Sequence, residues 1–185
     1  MLTIKVDEEI TLRQLMREDA DIIFMAIDQN RDHLRTWLPF VDMTRNVENT
    51  RAFIHSLQEN DCPKKDIVLR IDYKGEFAGL IGLKEIDRLN NKTEIGYWLI
   101  EKLQGQGIII RSAKALIRYC FEELKMNRIQ VKIAVGNDKS QQIPFRLKFQ
   151  FEGTERAGEL LHGKYLDLQL YSLLKKEWLK LNKYD

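Results

Sequence analysis

Between Gln104 and Ile109 the chain reads Gln-Gly-Gln-Gly-Ile-Ile, and apolar residues at helical spacing follow at once. Gly105 and Gly107 leave backbone N–H groups uncovered at the mouth of a helix, where unpaired donors and the helix dipole favour an anionic group such as a pyrophosphate. The chemistry predicted is capture of a nucleotide-like cofactor. A mononucleotide P-loop needs Gly-Lys-Ser/Thr after its glycines, but Gly107 is followed by Ile108, Ile109 and Ile110. A dinucleotide fingerprint needs a third glycine and an acidic ribose partner at the end of the next strand, and Ile110 and Val135 hold those places. P-loop chemistry is thereby excluded, and nicotinamide and flavin cofactors are disfavoured.

Other chemistries find no residues to carry them. His33, His55 and His162 are scattered, no Cys/His/Asp spacing suits a metal, and no Ser-His-acid arrangement is visible. Cys62 and Cys120 lie far apart, with Cys120 on the apolar side of a helix, which suggests free thiols in a reducing compartment. A metal-free enzyme that transfers its group directly is expected. With 30 basic and 28 acidic residues the net charge is +2, so no whole-protein field argues for nucleic acid as a partner. No segment approaches the length of a membrane span, and the amino terminus has no long apolar run after a basic start. A cytoplasmic protein is expected.

The elements that must position the loop follow from periodicity. Ile4–Val6 and Thr11–Leu15 read as short strands, and Arg17–Gln29 as a helix through Ala20, Ile23, Phe24 and Ile27. A second helix is predicted over Val47–Glu59, stopped by Asp61-Cys62-Pro63. Ile67–Tyr73 and Phe77–Asp87 form a hairpin closed by Lys74-Gly75-Glu76, and Asn90-Asn91 turns into a strand from Glu94 to Ile100. After the glycine loop, Ile110, Ala113, Ile117, Cys120, Phe121 and Leu124 define a helix, and Arg128–Val135 a strand with Ile129, Val131, Ile133 and Val135 on one side. Ser140 is placed as the cap of a short helix ending near Leu147, and two last strands span Phe149–Arg156 and Tyr165–Leu174. Strands broken by four helices imply an α/β fold: one domain over 1–185, with a mixed, mostly antiparallel sheet and helices on both faces. An apolar content of 44% is enough to fill its core.

Gln104-Gly105-Gln106-Gly107 after the Glu94 strand resembles the acyl-CoA pyrophosphate loop of the GNAT acetyltransferases, Gln/Arg-x-x-Gly-x-Gly/Ala, with Ile109 where Gly or Ala is usual. The resemblance extends nearly end to end. It points to ribosomal-protein N-acetyltransferases of the RimJ/RimL type, in particular YdaF-like members. The matching pieces are Asn30-Arg31 with Leu34 and Trp37-Leu38-Pro39, Glu94–Leu99, Asn127-Arg128, Asn137 with Ser140, Phe151-Glu152-Gly153, Tyr165 with Asp167, and Glu177-Trp178. The order of predicted elements is that of the GNAT fold.

The resemblance implies transfer of the acetyl group of acetyl-CoA to a primary amine by direct attack in a ternary complex. The amine would be the N-terminal residue of a protein, by resemblance a ribosomal one, with small polyamine or aminoglycoside-like amines as the enzymatic alternative. A noncatalytic acyl-CoA-binding module is the reading from another class. Acetyl-CoA would lie on Gln104, Gly105, Gln106, Gly107, Ile108 and Ile109, with Leu99 and Ile100 beside the pantetheine arm supplying a backbone amide to the thioester carbonyl, and Asn137 also touching the arm. The tyrosine that many GNAT enzymes use as leaving-group acid is replaced by Pro144, and Lys148 replaces the glycine of a Leu-Gly-Phe motif. Ser140 becomes the candidate donor to the thiolate. Glu159 is the candidate base and Glu94 its rival. Arg31, Leu34 and Trp37 would wall the acceptor groove. A homo-oligomer, dimer or higher, acting without metal, nucleic acid or membrane is expected.

Overall fold

Lys74 and Gly75 both take left-handed backbone (φ 53° and 83°), so the chain reverses in two residues and the apolar runs on either side pair as the predicted hairpin. Similar pairings assemble the rest of the chain. The structure, a computed structural model, describes residues 1–58 and 66–181; the predicted stop at Asp61-Cys62-Pro63 lies outside them. Its strands are β1 (Thr3–Lys5), β2 (Ile10–Gln14), β3 (Ile67–Tyr73), β4 (Glu76–Asp87), β5 (Lys92–Leu99), β6 (Arg128–Ala134), β7 (Gln150–Leu161) and β8 (Lys164–Leu174). They form one sheet in the order β1-β2-β3-β4-β5-β6-β8-β7, with every neighbouring pair antiparallel except β5 and β6. This is the expected mixed, mostly antiparallel sheet.

Helices cover both faces. They are α1 (Ala20–Gln29), α2 (Arg31–Leu34), α3 (Phe40–Met43), α4 (Val47–Gln58), α5 (Ile108–Glu122), α6 (Asp138–Arg146) and α7 (Lys175–Leu181). In β3 and β4 the ladder passes from Asp72↔Phe77 to Ile71↔Gly79, so Ala78 is an extra residue and the parity of β4 flips there. As a result Phe77 and Leu80 join Trp98 and Ile100 beneath α1 and α4, while Ile81, Leu83, Ile95 and Leu99 pack with α5 on the opposite face. Asp19, 3% exposed, precedes α1 and binds Arg13 of β2 and Arg70 of β3 (2.6 and 2.8 Å), which fastens the helix to the sheet.

The four expected helices are present as α1, α4, α5 and α6, and three short ones join them. α2 and α3 have four residues each, too few for periodicity to show. α7 is anchored by Glu177, whose carboxylate accepts the Leu174 N–H (2.9 Å), and by Trp178 against Phe121, ring centroids 5.3 Å apart. Most boundaries shift by one to three residues, and two of the differences matter for the site. β6 ends at Ala134, leaving Val135 exposed rather than in line with Ile133, and β7 runs on to Leu161. Among the described residues no helix is long and apolar enough to cross a membrane.

β5 and β6 pair only over Lys92↔Arg128, Thr93↔Ile129 and Glu94↔Gln130. Beyond Glu94 they diverge, opening a wedge in the middle of the sheet.

Candidate active site

The wedge exposes backbone that a closed sheet would use. In the β4–β5 ladder the N–H of Ile100 donates to the Ala78 carbonyl (2.9 Å). Antiparallel pairing alternates, so the N–H groups of Tyr97 and Leu99 point the other way, toward β6, which is no longer there to receive them. Of the two residues expected beside the thioester, Ile100 therefore has its amide committed, and Leu99 presents the free donor.

On the α5 side lies the glycine loop. Gly107 caps α5 in the left-handed region (φ 72°), Gly105 takes φ 77°, and no atom of the described residues lies within 4 Å of where a Cβ would sit on either. Among the described residues no side chain caps the helix, so the N–H groups of Ile108, Ile109 and Ile110 begin it without intrahelical partners. Ile109, where glycine or alanine is usual, turns its side chain into the core, which takes up the added bulk. The Gln104 side chain lies 2.6 Å from His33 Nε2 and accepts from Lys139 Nζ at 3.0 Å, tying the loop to α2 and α6.

Across the wedge, α6 starts just after β6. Its N-cap is Asn137, whose Oδ1 accepts the Ser140 N–H (3.3 Å); Ser140 is the third helical residue, which corrects its expected place as the cap. Among the described residues the Ser140 hydroxyl and the Asn137 amide NH₂ have no hydrogen-bond partner, so both are available to a ligand. Lys148 has φ 63°, which explains why a glycine suits that position.

The opposite face of the wedge is charged. Lys84 and Glu94 are directly opposed on β4 and β5 and form a salt bridge of 2.9 Å, and Gln130 of β6 donates to the second Glu94 oxygen (3.3 Å). Glu94 is 6% exposed and fully engaged. Glu159 of β7 faces the same group: burial, with the Glu94 charge adding, raises its pKa, and Lys84 opposes the rise. Among the described residues no hydrogen bond or ion pair holds the Glu159 carboxylate. The structure thus brings the two candidate bases together, one paired and one free.

A bulge aims Glu159. The β7–β8 ladder jumps from Glu155↔Leu168 to Glu159↔Leu166, so residues 156–158 oppose Asp167 alone. Ala157 takes φ 53° there, and Asp167 Oδ1 accepts its N–H (2.8 Å). Asp167 belongs to the Tyr165/Asp167 signature, so the signal was present, but its meaning depends on the register.

Segment 31–43 forms the wall on this side. Arg31 donates to the carbonyls of Val41 (2.7 Å) and Thr44 (2.9 Å) and to Asp28 (3.0 Å), so its guanidinium ties the wall together. Leu34 is 3% exposed and belongs to the core under α1. Trp37 reaches Gly136 at the end of β6, its Cη2 3.6 Å from where a Cβ would sit. At the β7–β8 turn, His162 lies 2.8 Å from the Arg35 carbonyl and 3.1 Å from Asp42, so the hairpin leans on the same wall. Sequence reasoning missed Lys84, Gln130 and His162, whose placement depends on strand pairing. Among the described residues no group of three or more His, Cys, Asp or Glu could hold a metal ion.

The wedge between parallel strands thus carries an uncapped helix start on one face and a free carboxylate on the other. The acetyltransferase (GNAT) domain model matches residues 9–150, and the chain belongs to that family and is an acetyltransferase. The YdaF protein of Bacillus subtilis (strain 168), whose name assigns it provisionally to ribosomal N-acetylation, is 39% identical over 179 residues, 96% of this chain and 98% of its own. The ribosomal-protein-serine acetyltransferase of Escherichia coli (strain K12) is 31% identical over 173 residues, 92% of this chain and 95% of its own. Among solved structures, RimL, described as a ribosomal L7/L12 alpha-N-protein acetyltransferase in complex with coenzyme A, superposes with a TM-score of 0.89 at 25% identity, over 95% of this chain and 99% of that one.

Proposed function

We propose that residues 1–185 act as one domain that transfers the acetyl group of acetyl-CoA to the α-amine of a protein N-terminus, by its relatives a ribosomal protein. The observation that carries this reading is the two-faced wedge: anion-holding backbone on the α5 side, and a free carboxylate of raised pKa on the other. The open cradle over Gly105 and Gly107, which a Cβ would fill, fits a pyrophosphate. Bound acetyl-CoA supplies an activated acyl thioester.

The chain's own residues then meet three needs. The Leu99 N–H polarises the acyl carbonyl, a contribution of roughly 3 kcal/mol for a preformed donor, and the β4–β5 ladder that holds the strand supports this role. Glu159 takes the proton from the attacking amine, whose unperturbed pKa near 8 asks only modest assistance. Its raised pKa brings it closer to that of the amine than an ordinary carboxylate. Glu94, held by Lys84 and Gln130, keeps Glu159 proton-hungry and the groove acidic, which suits a cationic terminus. Ser140 donates to the departing thiolate, Asn137 holds the pantetheine arm, and Arg31, Leu34 and Trp37 shape the acceptor wall.

A panel of N-terminal peptides and small amines, spermidine included, assayed for acetyl-CoA turnover tests the reading. Turnover confined to peptides with a free α-amine is expected. Turnover of spermidine alone would move the assignment to polyamines, and binding of acetyl-CoA without any turnover would make the chain a noncatalytic module.

A further inference from the structure

Pro144 sits inside α6, where it has no N–H to give. In a regular helix residue 144 would donate to the carbonyl of Ser140, and the proline ring also crowds that oxygen. The carbonyl is nevertheless bonded. The Tyr97 hydroxyl, reaching across from β5, donates to Ser140 O at 3.1 Å.

We propose that Tyr97 is a positioning residue for acetyl transfer: its hydroxyl replaces the backbone donor that Pro144 lacks and so sets α6 against β5. The proposal rests on the reading of Ser140 as the thiolate's donor. Tyr97 and Leu99 lie two residues apart on β5, on the same face. One strand therefore carries both the amide aimed into the wedge and the hydroxyl that holds the backbone of Ser140. The spacing between carbonyl donor and thiolate donor is set by this hydroxyl, beside the Lys139–Gln104 bond that ties α6 to the loop, where the β5–β6 ladder, ended at Glu94, can no longer fix it. Burial raises the Tyr97 pKa, so the phenol stays protonated and donating wherever the enzyme works. α6 keeps other holds: the Asn137 cap, the Gln141 bond to the Ala134 carbonyl (3.4 Å) and the burial of Pro144 and Leu147. Loss of the hydroxyl should leave the helix folded and its placement loose.

The test is a cycle of Tyr97→Phe and Pro144→Ala, alone and combined, read by kcat, acetyl-CoA Kd and thermal unfolding. Tyr97→Phe should lower kcat about tenfold with Kd within about twofold of the parent, because a displaced donor matters most in the transition state. Pro144→Ala restores an N–H to the Ser140 carbonyl, so adding Tyr97→Phe to it should change kcat less than about twofold. Equal losses from Tyr97→Phe in the parent and in the Pro144→Ala background would overturn the proposal, and so would a Tyr97→Phe enzyme that melts earlier but turns over at the parent rate. Ser140→Ala separates the underlying reading: undiminished kcat there removes Ser140 as donor, while the coupling of Tyr97 and Pro144 in thermal unfolding still reports whether the link exists.

Discussion

The two faces of the wedge are built by different means. On the α5 side the groups that would hold the cofactor are backbone amides, set by two glycines and a helix start within one short stretch, Gln104–Ile109. On the other side the working groups are side chains from four strands, Lys84, Glu94, Gln130 and Glu159, with a wall from segment 31–43 locked by Arg31 and His162. A site made of backbone tolerates side-chain change and fails when a Cβ enters the wrong place. A site made of side chains fails at single residues and is tuned by their charges.

The sharpest test of this contrast is Glu159→Gln, expected to lower kcat about 100-fold near pH 7 while acetyl-CoA affinity holds. The sign with pH follows from its raised pKa: the wild-type base becomes competent as pH climbs through that value, and the variant lacks this limb. It should regain part of its rate toward alkaline pH, where the amine sheds its own proton. Steady-state rates from about pH 6 to about pH 9.5 decide it. A larger pH-dependent loss in Glu94→Gln, with Glu159→Gln running parallel to wild type, would reverse the two roles.

On the backbone-built face, Gly107→Asp should weaken acetyl-CoA by more than about tenfold, or about 1.4 kcal/mol, by placing charge and bulk against the phosphates. Gln104→Ala should cost less than about threefold, since the side chain ties the loop and its amide remains. Calorimetry giving equal losses would break the distinction.

A smaller effect is expected where the β7–β8 hairpin is braced. Arg128 grips Glu152 through two bonds of 2.6 Å, and Ser172 adds a third; these hold the Glu152 pKa down at about 2. A depressed carboxylate stabilises the fold above its unfolded pKa, here about 4.5, and that contribution fades as pH falls toward about 2. Arg128→Ala should cost about 1 kcal/mol at neutral pH and much less in acid, read by thermal unfolding at both. Smallest of all, Lys148→Gly relieves a left-handed backbone and should stabilise by at most about 1 kcal/mol, with turnover unchanged.

The same contrast governs what the sequence made legible. Strand, loop and helix from Glu94 to Leu124 are contiguous, so their periodicity and glycines can be read locally, and the mixed antiparallel sheet follows from the order of elements. Lys84 is ten residues from Glu94 in the chain and directly opposite it in space, a fact that only the register supplies. Glu159 depends on a bulge fixed by Asp167, and Trp37 on a glycine almost a hundred residues away. Ser140 shows the limit within a single turn: Asn137, three residues earlier, is the better cap and takes the role. The Phe151-Glu152-Gly153 and Asn127-Arg128 signatures include the Arg128–Glu152 brace, so part of the resemblance records how the hairpin is held.

The brief ladder between β5 and β6 also divides the molecule mechanically. β1 to β5 form one antiparallel unit and β6, β8 and β7 another, and three residue pairs join their edges, backed by the α5 crossover and by side-chain links such as Gln130–Glu94 and Tyr97–Ser140. Such a seam is where a native protein opens first, each half keeping its own hydrogen bonds while the junction exchanges. A ligand lying in the wedge touches both halves and must work as a mortise pin: its binding energy is returned as resistance to their parting. Amides that bond across the seam, such as that of Arg128 to the Asn91 carbonyl (3.1 Å), should therefore exchange early in the free protein and become markedly protected once acetyl-CoA is bound.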